Sequence, residues 1–528
     1  MAELVLGPLL RYVGATSATV WVETDKPCTV EVAGAKSATF SVQGNHYALV
    51  AIEGLVGPTE YTVRLDGETV WPPADSPYPP SVIRPIAGGP FRLLFGSCRK
   101  PDSDDPREQR KAGPDALAAY ALRMAAGGPH PDALLLLGDQ VYADETSRAT
   151  QEWIAARRDI HQPPGGQVAN FAEYVHLYRE AWSSPPVRWL LSTVPTAMIF
   201  DDHDLHDDWN TSAAWRADAA RTSWWAERER GGLVAYWLYQ HIGNLSPAEL
   251  AEDETYRAVT SATGDAAPVL REFAERAVEE IDGRKATRWS YRRDFGPVRL
   301  LAIDTRCGRI LNEPRGMIGD AEFDWLETNA EGDYQHLLVG SSLPWLMPHA
   351  ISHVQSMNEA ACRKPGLRGR VAEWFRRKLD LEHWPAFRTS SDRLARLIRR
   401  AADSGATVCV LSGDVHHVYV AEALFPEPTE AKVYQLTCSP IHNQERLMRP
   451  LFALAWWKPL AHLLRWWMLR SPEIEPLPVD WVKRHGPDFG NTIATLTLDG
   501  ASATLLLEEA EGDPDEPGLS PMEPIPLA

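Results

Sequence analysis

Four short polar clusters each follow directly on an apolar run: Gly96-Ser97-Cys98, Gly138-Asp139-Gln140-Val141-Tyr142, Asp201-Asp202-His203-Asp204 and Gly413-Asp414-Val415-His416-His417. Together they supply carboxylates, imidazoles, one thiol and one phenol, an inventory of metal donors. Taken singly, each has an ordinary structural reading, because Gly-Asp after a strand is often a turn and a lone histidine is often a hydrogen-bonding core residue. Four such clusters in register are harder to explain that way. A buried carboxylate with no ion or partner carries a large desolvation penalty.

The elements that must position these clusters are the apolar runs themselves, at residues 91–95, 133–137, 197–200, 298–303, 336–339 and 407–411. Near-continuous apolar strands mean burial on both faces. With helices expected at 115–125, 171–182, 321–329 and 392–402, the pattern predicts a layered α/β domain over 89–510 whose helices cover a largely parallel sheet. Polar clusters at the carboxyl ends of such strands face one crevice, where open α/β sheets bind ligands. Residues 211–290 interrupt the rhythm and read as a helical insertion, with Trp224-Trp225 and Tyr236-Trp237 as packing pairs.

Residues 1–88 alternate over short stretches broken by Gly, Pro and Asp, which predicts a small β-sandwich. Its segment 55–63 resembles a fibronectin type III turn, with Tyr61 as the corner tyrosine. The Pro-rich run 71–85 reads as a linker. Asp499-Gly500 between two alternating runs predicts a hairpin, and the acidic, Pro-rich residues 511–528 are expected to be disordered. The Trp-rich segment 446–470, with Lys458 and Arg465 among its aromatics, has the residues of a membrane-surface element, but Pro450 and Pro459 interrupt it. The reading preferred is a pair of short helices packed over the mouth of the crevice.

The 53 basic and 72 acidic residues give a formal charge of −19, which repels polyphosphate backbones and argues against a general nucleic-acid binder. Six cysteines lie far apart with no disulfide or zinc spacing, as in a reducing compartment. No basic segment followed by a long apolar stretch opens the sequence, so the expected location is cytoplasmic. No apolar run approaches the roughly 18 residues a membrane span needs.

The series Gly-Ser-Cys, Gly-Asp-x-x-Tyr, Asp-Asp-His-Asp, Asp-Thr-Arg at 304–306 and Gly-Asp-x-His resembles the PhoD-like alkaline phosphatases, a branch of the calcineurin-like metallophosphoesterases. The resemblance runs from Phe91 to Leu507 with the motifs in order, and residues 235–247 also look like this family's insertion. It implies a ferric ion held by Cys98, Asp139 and Tyr142, with Asp139 bridging to one or two calcium ions. Asp202 and Asp414 would give oxygen ligands to the divalent side, and His416 would complete the iron side or lie beside it. Gly-Ser-Cys replaces the Asp-x-His opening of the wider superfamily, which makes a zinc or manganese pair the less favoured alternative.

On this reading the chain hydrolyses small phosphate mono- or diesters, with His203 protonating the leaving alkoxide and Arg306 forking the phosphate oxygens. Arg99, where a glutamine is common in relatives, and Ser342 are further substrate-binding candidates. Asp207, Asp208 and Asn210 either bind the divalent ion or cap a helix, with capping preferred. The rival is a catalytically silent phospholigand-binding protein on the same scaffold.

Overall fold

The computed structural model describes residues 1–86, 88–279, 287–444, 449–471, 474 and 477–528. Residue 87, residues 280–286 of the expected insertion and residues 446–448 of the Trp-rich segment lie outside that set.

The apolar runs form the centres of two seven-stranded sheets. In the first, β1 (Phe91–Gly96), β2 (Ala133–Leu137) and β3 (Thr196–Ile199) run parallel, and the hairpin Thr492–Asp499 and Ser502–Asp513 adds antiparallel strands beyond β1. In the second, β4 (Val298–Ile303), β5 (His336–Ser341), β6 (Thr407–Ser412) and β7 (Val433–Thr437) are parallel, with antiparallel strands at either side. One apolar cluster joins Phe95, Leu135 and Leu137 to Leu300, Leu338 and Leu411, so the sheets lie face to face. Two further clusters pack helices on their outer faces. The fold is therefore a mixed α/β/β/α sandwich, and the expected single, largely parallel sheet is corrected. A continuous apolar run records that both faces are covered, not whether helix or sheet covers them.

The helices fall where periodicity and caps put them. Asp115 caps Ala116–Ala125 by accepting from the amides of Leu117 and Ala118, and Asn170 does the same for Phe171–Trp182. Arg388–Asp403 buries Leu394, Ala395, Leu397, Ile398, Ala401 and Ala402 on one face. A fully buried Leu or Ile there contributes about 1.5–3 kcal/mol. The insertion is helical from Ala213–Ala219 to Ala267–Val278 within the described residues. Four helices matter below: α1 (His349–Cys362), α2 (Leu367–Lys378), α3 (Arg449–Ala455) and α4 (Lys458–Met468).

The N-terminal region is a sandwich of two four-stranded sheets with its own apolar core. It is fastened to the rest of the chain. Buried Arg11 donates to the carbonyls of Thr196, Tyr239 and Gln240 at 2.6–2.9 Å, and Arg179 pairs with Glu23 at 2.7 Å. Tyr61, read as the corner tyrosine, donates to the carbonyl of Ser192 at 2.5 Å. The Pro-rich run, expected to be a linker, is docked through Ser81 on Ser192 and through the Trp189 indole on the Pro79 carbonyl. Proline reads as extended backbone in either case, and only the neighbouring side chains decide whether it packs.

Residues 511–528, expected to be disordered, instead contribute Glu516–Pro521 and Ile525–Pro526 as antiparallel partners of Ser502–Asp513. An acidic composition weakens a free strand, but a preformed sheet edge supplies the hydrogen bonds and Leu527 joins the inter-sheet core.

Candidate metal centre

All seven parallel strands deliver their carboxyl ends to one rim. Two glycines allow the ends to converge: a Cβ on Gly138 would sit 2.5 Å from the Cβ of Asp201, and one on Gly413 would sit 2.0 Å from Ser97 Oγ. Four expected ligands adopt left-handed backbone, with φ of 57° at Cys98, 52° at Asp139, 67° at Asp414 and 47° at His416. Each such residue costs about 1 kcal/mol or more and persists only where its surroundings hold it. Here Cys98 N donates to Gly138 O, Arg99 N to Asp139 O and His442 N to Cys98 O, while Ser97 Oγ and Ser439 Oγ accept from the amides of Asp414 and His416.

Cys98, Asp139 and His416 each present a donor atom within 4.8 Å of the others, and Asp139, Asp201 and Asp202 do likewise. Asp139 belongs to both groups, the placement a bridging carboxylate requires. Its Oδ1 is buried with no hydrogen-bond partner, and so is Asp201 Oδ2. Burial pushes the Asp139 carboxyl well above the usual range; His203 opposes the shift, while Asp202, Asp204 and Asp414 add to it. Burial and Asp139 likewise raise the Cys98 thiol well above its ordinary value. Burial lowers His416 to about 4, leaving a neutral imidazole able to donate a lone pair. Carboxyls and a thiol whose charged forms are disfavoured by burial, set beside orphaned oxygens, form a site that gains most from cations, so the donor set fits two metal ions.

Tyr142 stands with this group, its hydroxyl 3.4 Å from Asp139 Oδ2 and 3.0 Å from the Asn443 amide nitrogen. Asp414 belongs to neither triad and has Oδ2 on His383 Nε2 at 2.8 Å and Oδ1 3.5 Å from Arg306. His203 lies at the mouth with an 18% exposed side chain, its Nδ1 2.9 Å from Asp144 Oδ1. Burial disfavours charge on this imidazole, but Asp144 foremost, with Asp139 and Asp202, raises it well above its ordinary value.

The three substrate-binding expectations are corrected by burial. Arg306 is fully buried, and its guanidinium is committed to Asp201, Glu382, Asp202 at 3.2 Å and Asp414. It holds carboxylates in place and has no fork left for phosphate. Arg99 turns away to Asp115 at 2.7 Å and to the carbonyl of Ala181. Ser342 is buried, hydrogen-bonded to Thr305 Oγ1 at 2.7 Å, and its carbonyl accepts from Gly413 N. An arginine among carboxylates satisfies them first, because their desolvation penalty is already incurred in the free protein.

Ser212, rather than Asp207, Asp208 or Asn210, caps the following helix. Asn210 instead donates to the carbonyl of Arg306 at 3.1 Å. Asp208 keeps Oδ1 buried without a partner, and burial with Glu382, Asp380 and Asp207 pushes its carboxyl to about 10.

Sequence reasoning passed over Asp144, Glu382, His383, Ser439 and Asn443. Asp144 lies only two residues beyond the Gly-Asp-x-x-Tyr cluster and was within reach. Glu382-His383 follows a helix rather than an apolar strand, so nothing local marks it; His383 is fixed by Gln355 of α1 on Nδ1 at 2.8 Å. Ser439 Oγ, 3.2 Å from Cys98 Sγ, and Asn443 lie beyond β7, whose apolar run was not singled out.

Residues 112–451 match the family model described as "PhoD-like phosphatase", and residues 1–83 match "Domain of unknown function (DUF7800)". No curated protein matches the chain. A solved structure described as "Structure of PhoD" aligns with 98% of this chain and 89% of its own, at a TM-score of 0.60 and 11% identity. A purple acid phosphatase, PPD1 from yellow lupin (Lupinus luteus) seeds, covers 95% of this chain and 71% of its own at 12% identity and a TM-score of 0.48.

Proposed function

Because the chain belongs to the PhoD-like phosphatase family, we propose that it hydrolyses small phosphate esters at a two-metal centre. The observation that carries this reading is Asp139, a buried carboxylate shared by two donor groups and carrying an unpartnered oxygen. Cys98, Tyr142, Asp139 and His416 would hold one ion, for which thiolate and phenolate favour Fe(III). Asp139, Asp202 and Asp201 would hold a divalent ion such as calcium, with Asp414 adjoining it and Asp208 as a ligand for a second. Such ions acidify water and neutralise charge on the attacking and leaving oxygens.

The protein's own part is proton transfer and orientation. His203 donates from Nε2 to the leaving alkoxide, since Nδ1 is committed to Asp144, which fixes the ring and favours its charged form. Arg306 and Glu382 keep Asp201, Asp202 and Asp414 aimed at the rim. Arg99 and Arg306 are both committed to carboxylates, and Lys100, 4.8 Å from the centre of the Tyr142 ring, is paired with Glu145 at 2.6 Å; among the described residues this leaves little free positive charge for a dianionic monoester, so we favour diesters.

Elemental analysis of the purified protein paired with turnover on aryl phosphate mono- and diesters tests the proposal. Iron with a divalent ion, and faster diester hydrolysis, is expected. A metal-loaded protein that binds phosphate but turns over neither substrate would favour the silent phospholigand binder.

A further inference from the structure

Two helices wear their apolar faces outward. On α2, Leu367, Val371, Trp374 and Phe375 recur at helical spacing and are exposed, Leu367 by 75% and Trp374 by 56%. The inward face of the same helix carries Gly369, Ala372 and Arg376, the last paired with Glu359 at 2.6 Å. An ordinary surface helix has the opposite arrangement. Helix α4 repeats it: Leu463, Trp466 and Trp467 are exposed, the last by 63%, while Met468 is buried. Between the two helices runs a groove of about 640 Å³, floored by Met357 and Ala361 of α1 and walled by Leu367, Phe375 and Trp467. The inner side of the Trp-rich pair packs on the protein, with Phe452 of α3 against His417 and Trp456 against Tyr419, so the outward aromatics are not needed to hold it down.

Charge selects the occupant. The protein carries −19 overall, yet residues 363–378 hold seven Arg or Lys against one acid, and residues 449–470 hold four against none. Arg368, Arg370, Lys378 and Lys458 are exposed, and Arg470 lies over the ring of Trp466 at 3.1 Å. Exposed Trp and Leu interleaved with Arg and Lys are the composition of an element lying in the headgroup layer of an anionic bilayer. Among the described residues no helix is long and apolar enough to cross a membrane, so the contact is peripheral. We propose that α2 and α4, with the groove between them, form a docking surface for anionic lipid bilayers. A second copy of this chain docked through the same face is a poorer occupant, because it would set these basic residues against their own kind.

Co-sedimentation of the full-length protein with vesicles tests this without reading turnover, so its outcome is independent of the catalytic proposal. Binding to phosphatidylglycerol–phosphatidylcholine vesicles is expected, weaker on phosphatidylcholine alone and falling as salt rises. Reversing Arg368→Glu, Arg370→Glu and Lys378→Glu together should lower vesicle affinity roughly 100-fold. Trp374→Ala with Trp466→Ala and Trp467→Ala should weaken binding and remove the quenching of tryptophan emission by brominated lipid. All six side chains are outside the core, and unchanged near-ultraviolet dichroism verifies folding. Absence of binding at low salt, or binding indifferent to both triple variants, would overturn the proposal. So would a vesicle-free dimer, seen by sedimentation velocity, that the tryptophan variant abolishes while vesicles remain unbound.

Discussion

Among the described residues, metal-ligating residue types gather in two places, one built of two triads that share Asp139 and the other of a single triad, and only the first asks for an ion. Around Asp139 the donors are Cys98, His416, Asp201 and Asp202; some 40 residues of sequence or more separate most of them, and buried oxygens there lack partners. In the second cluster, Asp102, Asp115 and His442 offer comparable chemistry. There Asp115 pairs with Arg99 and caps a helix, while both ring nitrogens of His442 meet carbonyl oxygens, of Lys100 at 2.7 Å and Gly113 at 2.9 Å. Donor type and proximity are common to both. Unmet demand distinguishes them, and it decides where a cation gains free energy.

The sharpest way to break this contrast is Asp139→Asn. A neutral amide cannot balance two cations, so both metals and nearly all turnover should be lost, as read by elemental analysis and a diester assay. Full occupancy in the variant would show that Asp139 is no ligand and that its orphaned oxygen has another explanation.

Next in size is His203→Ala, which should lower turnover by roughly 10²–10⁴ while metal content persists. Asp144→Asn should act in the same direction more weakly, because it leaves the imidazole in place but removes the carboxylate that orients and charges it. The deficit of both variants should shrink on substrates with good leaving groups. An unchanged rate on poor leaving groups would assign the proton to another residue.

Cys98→Ser and Tyr142→Phe test the identity of one ion rather than its presence. If thiolate and phenolate bind Fe(III), the concentrated protein is coloured by charge transfer. The serine variant should lose iron and the phenylalanine variant should lose the phenolate part of the band. An iron-loaded, active protein whose spectrum ignores both substitutions would refute these ligands and leave the two-metal reading standing.

Much of the rim was legible in sequence because each cluster follows an apolar run: a strand buried on both faces must end at a sheet edge, and its first polar residues must stand there. That logic placed Cys98, Asp139, Asp202 and His416 together. It failed for Arg306 and Arg99, whose roles depend on which carboxylates lie across space, and for Glu382-His383, which enters from a helical segment. The stacking of two sheets was equally hidden, since Leu135 and Leu338 read alike whether a helix or a sheet covers them.

The smallest effect on the metal centre belongs to the second cluster, and Asp115→Asn isolates it. Asparagine still accepts the amides of Leu117 and Ala118, so the cap survives with little loss. What disappears is the charge paired directly with Arg99, which is 3% exposed and keeps only the carbonyl of Ala181 and the weaker attraction of Asp102. Removing one partner of a buried pair costs about 3–5 kcal/mol, because the remaining ion is left in a medium that solvates it poorly. The variant should therefore unfold at lower denaturant concentration than the native chain, yet carry the same metals and turn over the same substrates at the same rate. Denaturant titration with elemental analysis separates the two readouts. Loss of metal without loss of stability would mean that Asp102, Asp115 and His442 hold an ion after all, and that internal partners are a poorer guide to a site than the Asp139 cluster suggests.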